Sequence, residues 1–262
     1  MGDSEPGREP DREPDRGTSD AARLAIADFA RQDPGDMALA GGGSLDRAAG
    51  AIRLRYCGLA LSVRHPGGSV AVVDAAAGEG GAAAAAGPAS PASPASPASP
   101  ASQASPPPTC GRPAPVAVQR GLHDLDAAEA VLVLQYLATR GALPPRGRWI
   151  SFLELPGGPH HHDLFVTEAI APLALCFGAD PAALAAAAAA LGGQAAALGH
   201  GGAIVPAFPR LPLAFVVWRG DAEFPPRANL LFDAVAPHYL STASLFVLGI
   251  EVSARLRRAA GR

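Results

Sequence analysis

The sequence of 262 residues contains no lysine, and all 21 of its basic residues are arginine. This absence excludes Schiff-base lysine chemistry and the lysine-dependent phosphate sites of P-loop and kinase proteins. Cysteine is also scarce, because the chain has only three, each more than fifty positions from the next. One chain therefore cannot supply the four thiolates of a structural zinc site or of a cysteine-ligated iron–sulfur cluster.

The three cysteines are predicted to differ in exposure. Cys57 and Cys176 lie in apolar sequence, which favours small buried side chains over nucleophiles, whereas Cys110 lies in a proline-rich stretch and is expected to be an exposed thiol. The N-terminus is acidic and proline-rich, unlike a signal peptide, so we expect a cytoplasmic protein. No stretch of eighteen strongly apolar residues is present. A net charge of −3 favours neither nucleic acid nor an anionic membrane as a partner.

The hydrophobic content of 48% overstates the core, because 59 of the residues are alanine. Much of that alanine lies in a low-complexity spacer with repeated Pro-Ala-Ser triplets, predicted for residues 75–115. A charged, proline-rich stretch over residues 1–18 is predicted to be a disordered tail, and residues 259–262 a short C-terminal tail. What remains is a single domain over residues 19–258 that the spacer interrupts.

Apolar periodicity and capping residues predict the elements of this domain. Helices are expected over residues 21–32, 164–176 and 242–258, with Pro172 kinking or ending the second. Another should follow Asp126, with Glu129 completing a capping box and Gly141 at C′. A fifth should run from Asp180-Pro181 to residue 192. Strands are expected over residues 52–63 with a bulge or turn at Cys57-Gly58, and over 70–73, 149–155, 211–218 and 228–232. This order predicts an α+β fold, with packed helices and a largely antiparallel sheet.

Several of these segments carry a resemblance to a known family. They are residues 149–158, Phe165, Pro172-Leu173, Phe177-Gly178 and above all residues 209–240, where Trp218-Arg219-Gly220-Asp221-Ala222-Glu223-Phe224-Pro225 is followed by Leu231-Phe232-Asp233. Residues 21–258, without the spacer, resemble an uncharacterised bacterial and archaeal family described only as a domain of unknown function. Its members occur alone or behind a four-cysteine iron–sulfur module similar to that of the corrinoid iron–sulfur protein. The resemblance implies a corrinoid or iron–sulfur partner in anaerobic one-carbon or metal-cofactor metabolism, but this chain lacks the module.

The predicted turn between the last two strands is one candidate site. Its candidate ligand- or partner-binding residues are Trp218, Arg219, Asp221, Glu223, Arg227 and Asp233. Asp221 and Glu223 would share a face of an extended segment and could act as paired carboxylates or hard-metal ligands. We favour a structural interpretation, in which a Gly-Asp turn is stiffened by an arginine–carboxylate pair.

A histidine-rich loop is the other candidate site. If the loop is extended, His160 and His162 point to one side and could bind one metal ion, with Asp163, His200, Asp221 or Glu223 completing the ligand set. Consecutive histidines also occur on solvated loops without function, and this interpretation is favoured. The sequence does not indicate which cofactor, if any, the chain binds.

Three functional hypotheses follow. The leading one is a non-enzymatic accessory or binding domain that acts with a corrinoid or iron–sulfur partner or with a small ligand. The alternative is a metal-dependent hydrolase or lyase that uses His160, His162, Asp221 and Glu223. In the third, the Pro-Ala-Ser insert makes the chain a scaffold.

Overall fold

The computed structural model describes residues 16–73, 124–139 and 141–261. The predicted spacer, Cys110 and the predicted tail up to residue 15 lie outside the described residues. In the part of the chain that is described, no helix is long and apolar enough to cross a membrane. The observed fold is the predicted α+β class, with two antiparallel sheets and helices packed against them.

The N-terminal half of the fold is built on a four-stranded sheet. After helices α1 (Arg16–Ala30) and α2 (Pro34–Gly41), the strands β1 (Ser44–Asp46), β2 (Ala51–Tyr56), β3 (Leu59–Arg64) and β4 (Val70–Val72) pair in chain order. Cys57 and Gly58 form the predicted turn between β2 and β3, and both have positive φ, 46° and 80°. Helix α1 begins at Arg16, five residues before the start predicted at residue 21, and ends at Ala30.

A run of helices follows the residues that are not described. Helix α3 (Ala127–Leu137) has the predicted capping box of Asp126 and Glu129, but its C-cap is Ala138, so Gly141 is not its C′ residue. Strand β5 (Trp149–Ser151) is shorter than predicted, because the next residues form a 3₁₀ turn (Phe152–Glu154). Helices α4 (His162–Phe165) and α5 (Ala171–Phe177) are joined by a π-helical turn (Val166–Ile170). Pro172 therefore lies in the first turn of α5, where its missing N–H is tolerated.

The C-terminal half carries a five-stranded sheet in the order β5-β9-β8-β7-β6. Helix α6 (Ala183–Ala190) begins after the predicted Asp180-Pro181 start and has no side-chain cap. The strands β6 (Gln194–Ala196) and β7 (Gly201–Phe208) were not predicted, whereas β8 (Leu211–Trp218) has the predicted bounds. The chain ends with β9 (Arg227–Asp233), the short α7 (Ala236–Tyr239) and α8 (Thr242–Ala259).

One continuous core joins the two sheets. The amide of Cys57, at the β2–β3 turn, donates to the Ala207 carbonyl of β7 at 3.0 Å. Helices α3 and α8 pack against each other, and buried residues from both sheets belong to the same apolar cluster. The described residues of the two halves therefore support one another's packing.

Candidate functional site

The β8–β9 hairpin projects a well-defined turn. The ladder ends at the pair Trp218 and Arg227, and we call residues 218–227 the hairpin tip. Oδ1 of Asp221 accepts hydrogen bonds from the amides of Glu223 and Phe224, both at 2.8 Å, and the Asp221 amide donates to the Phe224 carbonyl at 2.9 Å. These amides lower the pKa of the Asp221 carboxyl group below its usual value, because they stabilise the charged form.

Backbone packing also holds the hairpin tip in place. A Cβ atom on Gly220 would lie 2.7 Å from the Pro226 nitrogen, so only glycine fits there. Pro226 in turn packs against Gly178 at the end of α5. On the other side, Nδ1 of His200 accepts a hydrogen bond from the Arg219 amide at 2.9 Å. The tip is therefore fixed at both its ends and across its turn.

The side chains of the hairpin tip face solvent. Trp218 is 39% exposed and Phe224 is 55% exposed. The side chains of Arg219, Glu223 and Arg227 are exposed as well, and none of them forms an ion pair within the described residues. The predicted Gly-Asp turn is present, but the predicted arginine–carboxylate pair is absent there, since main-chain amides occupy the carboxylate instead. The tip thus presents two aromatic rings and two arginines.

Asp233 is separated from the rest of the candidate set. It is fully buried at the end of β9, where its carboxylate accepts from the amides of Arg146 at 3.0 Å, Val235 at 2.9 Å and Gly147 at 2.7 Å. These bonds tie the segment before β5 to the segment after β9. Asp233 therefore orients the backbone at this end of the sheet and offers no exposed atom to a ligand.

The histidine segment is helical and not extended, which corrects the assumption behind the predicted metal site. Gly157, with φ 75°, turns the chain into a 3₁₀ turn (Gly158–His161), and His162 begins α4. The alternating directions expected of an extended loop therefore do not apply to His160 and His162. Within the described residues, neither histidine nor Asp163 belongs to a group of three potential ligand atoms that lie within 4.8 Å of one another.

A buried ionic network, which the sequence analysis missed, lies between α3 and α8. Arg255 is fully buried and Glu129 is 2% exposed. The guanidinium donates to the carboxylate at 2.5 Å from Nε and 2.8 Å from Nη2, and Nη2 also donates to the Asp124 carbonyl at 2.7 Å. The Tyr56 hydroxyl donates to Glu129 at 3.1 Å, and the Arg255 guanidinium lies 5.3 Å from the centre of the Tyr56 ring. Three distant segments meet at this network.

The pKa values in and beside the network are shifted. Burial raises the pKa of Tyr56 well above its usual value, and the negative charge of Glu129 adds to this shift. Burial raises the pKa of the neighbouring Cys57 thiol to about 12. The sequence did carry a signal for this network, because Glu129 and Arg255 lie on the apolar faces of their helices, next to Leu132 and Val252. A charged residue on such a face indicates a buried partner of opposite charge.

An acidic cluster and a cavity lie elsewhere in the described residues. Ligand atoms of Asp126, Glu129 and Glu251 lie within 4.8 Å of one another, although Glu129 is already bound by Arg255. A cavity of about 470 Å³ lies between α2 and the end of α3, lined in part by Met37, Leu39 and Thr139. The Thr139 hydroxyl donates a hydrogen bond to the Tyr239 carbonyl at 2.7 Å. None of the candidate site residues predicted from the sequence is among the described residues that line this cavity.

Comparison with known proteins agrees with part of the resemblance. No curated protein and no solved structure matches the chain. Residues 114–255 match the family model described as Domain of unknown function (DUF3786). The match includes the hairpin tip, Glu129 and Arg255, and it begins after the N-terminal sheet. Because the matched residues make up more than half of the chain, this protein belongs to the DUF3786 family.

Proposed function

We propose that this chain is a non-catalytic binding domain that docks a partner protein through the hairpin tip, and that the partner carries an iron–sulfur cluster or a corrinoid. The observation that carries the docking proposal is the exposure of Trp218 and Phe224 beside Arg219 and Arg227 on a fixed turn. Aromatic residues and arginine are enriched in the energetically dominant parts of protein interfaces.

The rigidity of the hairpin tip supports the same proposal. A loop that is already held in its bound shape loses little conformational entropy when a partner binds. The Asp221 turn, the Gly220–Pro226 packing and the His200 bond all restrict the tip before any partner arrives. Because Arg219, Arg227 and Glu223 have no ion pair among the described residues, their charges are available to groups on the partner.

The cysteines of this chain support placing the cofactor on the partner. The resemblance implies a four-cysteine iron–sulfur module, and this chain has three cysteines, of which Cys57 and Cys176 are buried. A cluster with four thiolate ligands would therefore have to be held by another polypeptide. No described contact favours the alternative of a metal-dependent hydrolase or lyase.

The test is co-purification with the tagged full-length chain from its host, with iron and cobalt analysis of what is recovered. We expect a partner that contains one of these metals, and Trp218→Ala with Arg219→Ala should reduce its recovery at least tenfold, as truncation of interface residues of these types does. Leu24→Ala, at a 68% exposed leucine on α1, is the matched control. Circular dichroism of each variant tests folding.

Each outcome has a distinct meaning. Repeated recovery of the bare chain contradicts the binding function. A partner that contains neither iron nor cobalt contradicts the cofactor assignment and leaves the docking surface standing. Equal loss of recovery in the Leu24→Ala variant and in the folded tip variant contradicts the placement of the interface on the hairpin tip.

A further inference from the structure

His200 occupies a position from which it can control the hairpin tip. The β8–β9 ladder ends at Trp218, so Arg219 is the first residue beyond it, and its amide is held by the His200 ring and not by β9. We propose that His200 is a proton-sensitive positioning residue: its neutral imidazole holds the Arg219 amide, and protonation of the ring releases the tip. The inference rests on the proposed function, because it concerns the same binding surface.

The chemistry of the hydrogen bond defines the two states. A backbone N–H donates to Nδ1 at 2.9 Å, so Nδ1 carries no proton in the folded chain and the ring proton is on Nε2. In the imidazolium form both ring nitrogens carry protons, and the same contact would set two donors against each other. Imidazole is the side chain whose charge changes between about pH 5 and 8. Protonation of the ring therefore removes this acceptor.

The surrounding turn couples His200 closely to the hairpin tip. The His200 amide donates to the Val217 carbonyl at 2.9 Å, so the backbone before β7 stays attached to β8. A Cβ atom on the preceding Gly199 would lie 2.8 Å from the Val217 oxygen and 3.4 Å from Trp218 Cε2. The His200 backbone is therefore held beside β8, whereas its ring is exposed to solvent, so protonation is relieved by loss of the hydrogen bond that the ring accepts from the Arg219 amide.

The charged groups around this turn do not provide the ring with a partner. The neighbouring elements carry Arg219, Asp221 and Glu223 in the tip, Arg227 at the start of β9, and Asp180 before Pro181, whose carbonyl packs against Gly201. None of them forms an ion pair with His200 in the described part of the chain. A protonated His200 would therefore gain no carboxylate in exchange for the lost Arg219 bond.

The test measures hydrogen exchange of the Arg219 amide by NMR in the free full-length chain at pH 8 and pH 5, corrected for intrinsic exchange rates. In the wild type we expect protection to fall roughly two- to tenfold at pH 5, as loss of one hydrogen bond implies. His200→Asn keeps an oxygen acceptor near the Nδ1 position and does not titrate, so its protection should be the same at both pH values. His200→Ala should be unprotected at both.

A constant protection in the wild type, or the same pH dependence in His200→Asn, would overturn the proposal. Binding of the recovered partner provides the second measurement. Wild-type affinity should fall roughly two- to tenfold from pH 8 to pH 5, and the His200→Asn variant should resist that fall. If the exchange result appears but no partner is recovered, the proposed function fails while the proton-sensitive contact stands.

Discussion

The Glu129 carboxylate is surrounded by donors from three parts of the chain. Arg255 binds it with two hydrogen bonds, Tyr56 adds a third from the N-terminal sheet, and the Asp126 amide donates a fourth. Two charges that are removed from water cost several kcal/mol each, so the geometry of the pair decides whether it stabilises the fold. Removal of either partner breaks this pair and leaves the other charge buried without its main counter-charge.

We therefore expect Glu129→Leu and Arg255→Met each to lower the free energy of unfolding by about 3–5 kcal/mol, because each single change breaks the buried Glu129–Arg255 pair. The double variant should be more stable than either single variant, since neither charge of the pair remains buried. Urea denaturation of all three proteins measures this. Additive losses in the double variant would contradict a direct interaction between the two side chains.

Cys57 gives a second prediction at the scale of one residue. Burial raises the pKa of its thiol to about 12, so the reactive thiolate is nearly absent at pH 8. Iodoacetamide should leave Cys57 unlabelled in the native chain and label it after unfolding in urea, as measured by mass spectrometry of its peptide. Cys110, predicted to be exposed, is the internal control. Labelling of Cys57 as fast as Cys110 in the native chain would refute the prediction.

At the scale of an element, we expect protonation of the Asp221 carboxylate in acid to weaken the hydrogen bonds that hold the hairpin tip. The folded pKa of this carboxyl group lies below its ordinary value of 3.8, so its contribution is fully present above that value and is lost as the pH falls through the lower folded pKa. Amide protection at Glu223 and Phe224 should therefore decrease below pH 3.8.

Asp221→Asn is the control for this dependence, because its amide oxygen can accept the same bonds and does not titrate. Its protection at Glu223 and Phe224 should be independent of pH over the same range. The acid response of Asp221 is expected below pH 3.8, and the comparison at pH 8 and pH 5 used for His200 lies above it, so the two effects on the tip can be separated. A wild-type tip whose protection is constant to pH 2 would contradict the role assigned to Asp221.

The elements predicted correctly from the sequence are those with local signals, such as capping residues and apolar runs. The capping box of α3 and the eight residues of β8 were predicted, because capping residues and apolar runs are local features. Strand β7 was not predicted. Proline in a sequence argues against a strand, yet Pro206 lies inside β7 opposite Pro212, with a register shift beside it. The Glu129–Arg255 pair was missed for another reason, because it depends on tertiary contact.

The candidate sites were also predictable only where the signal is local in sequence. The Gly-Asp turn was inferred correctly, because aspartate commonly bonds to the amides that follow it in a turn. The role of Asp233 as an internal acceptor depends on Arg146 and Gly147, which are 87 and 86 positions away. The closeness of Asp233 to the hairpin tip in sequence therefore did not indicate the role of Asp233.

For the whole molecule, the fold extends beyond the family match. Residues 16–73 supply a complete sheet, and α1 packs on α3 while β2 contacts β7. A fragment of residues 114–262 would expose these apolar surfaces and lose the Tyr56 bond to Glu129. We expect that fragment to aggregate, and co-expression with residues 1–73 to restore a soluble complex, as measured by gel filtration. A soluble, cooperatively unfolding fragment on its own would show that the matched residues form an independent domain.

The buried network also bears on the order in which the chain folds. Glu129 is 73 positions from Tyr56 and 126 positions from Arg255, so each contact closes a long loop before it contributes. Contacts of such high sequence separation are costly to form early, and local helices and hairpins precede them. We therefore expect the network to form mainly after the transition state, and to slow unfolding more than it speeds folding.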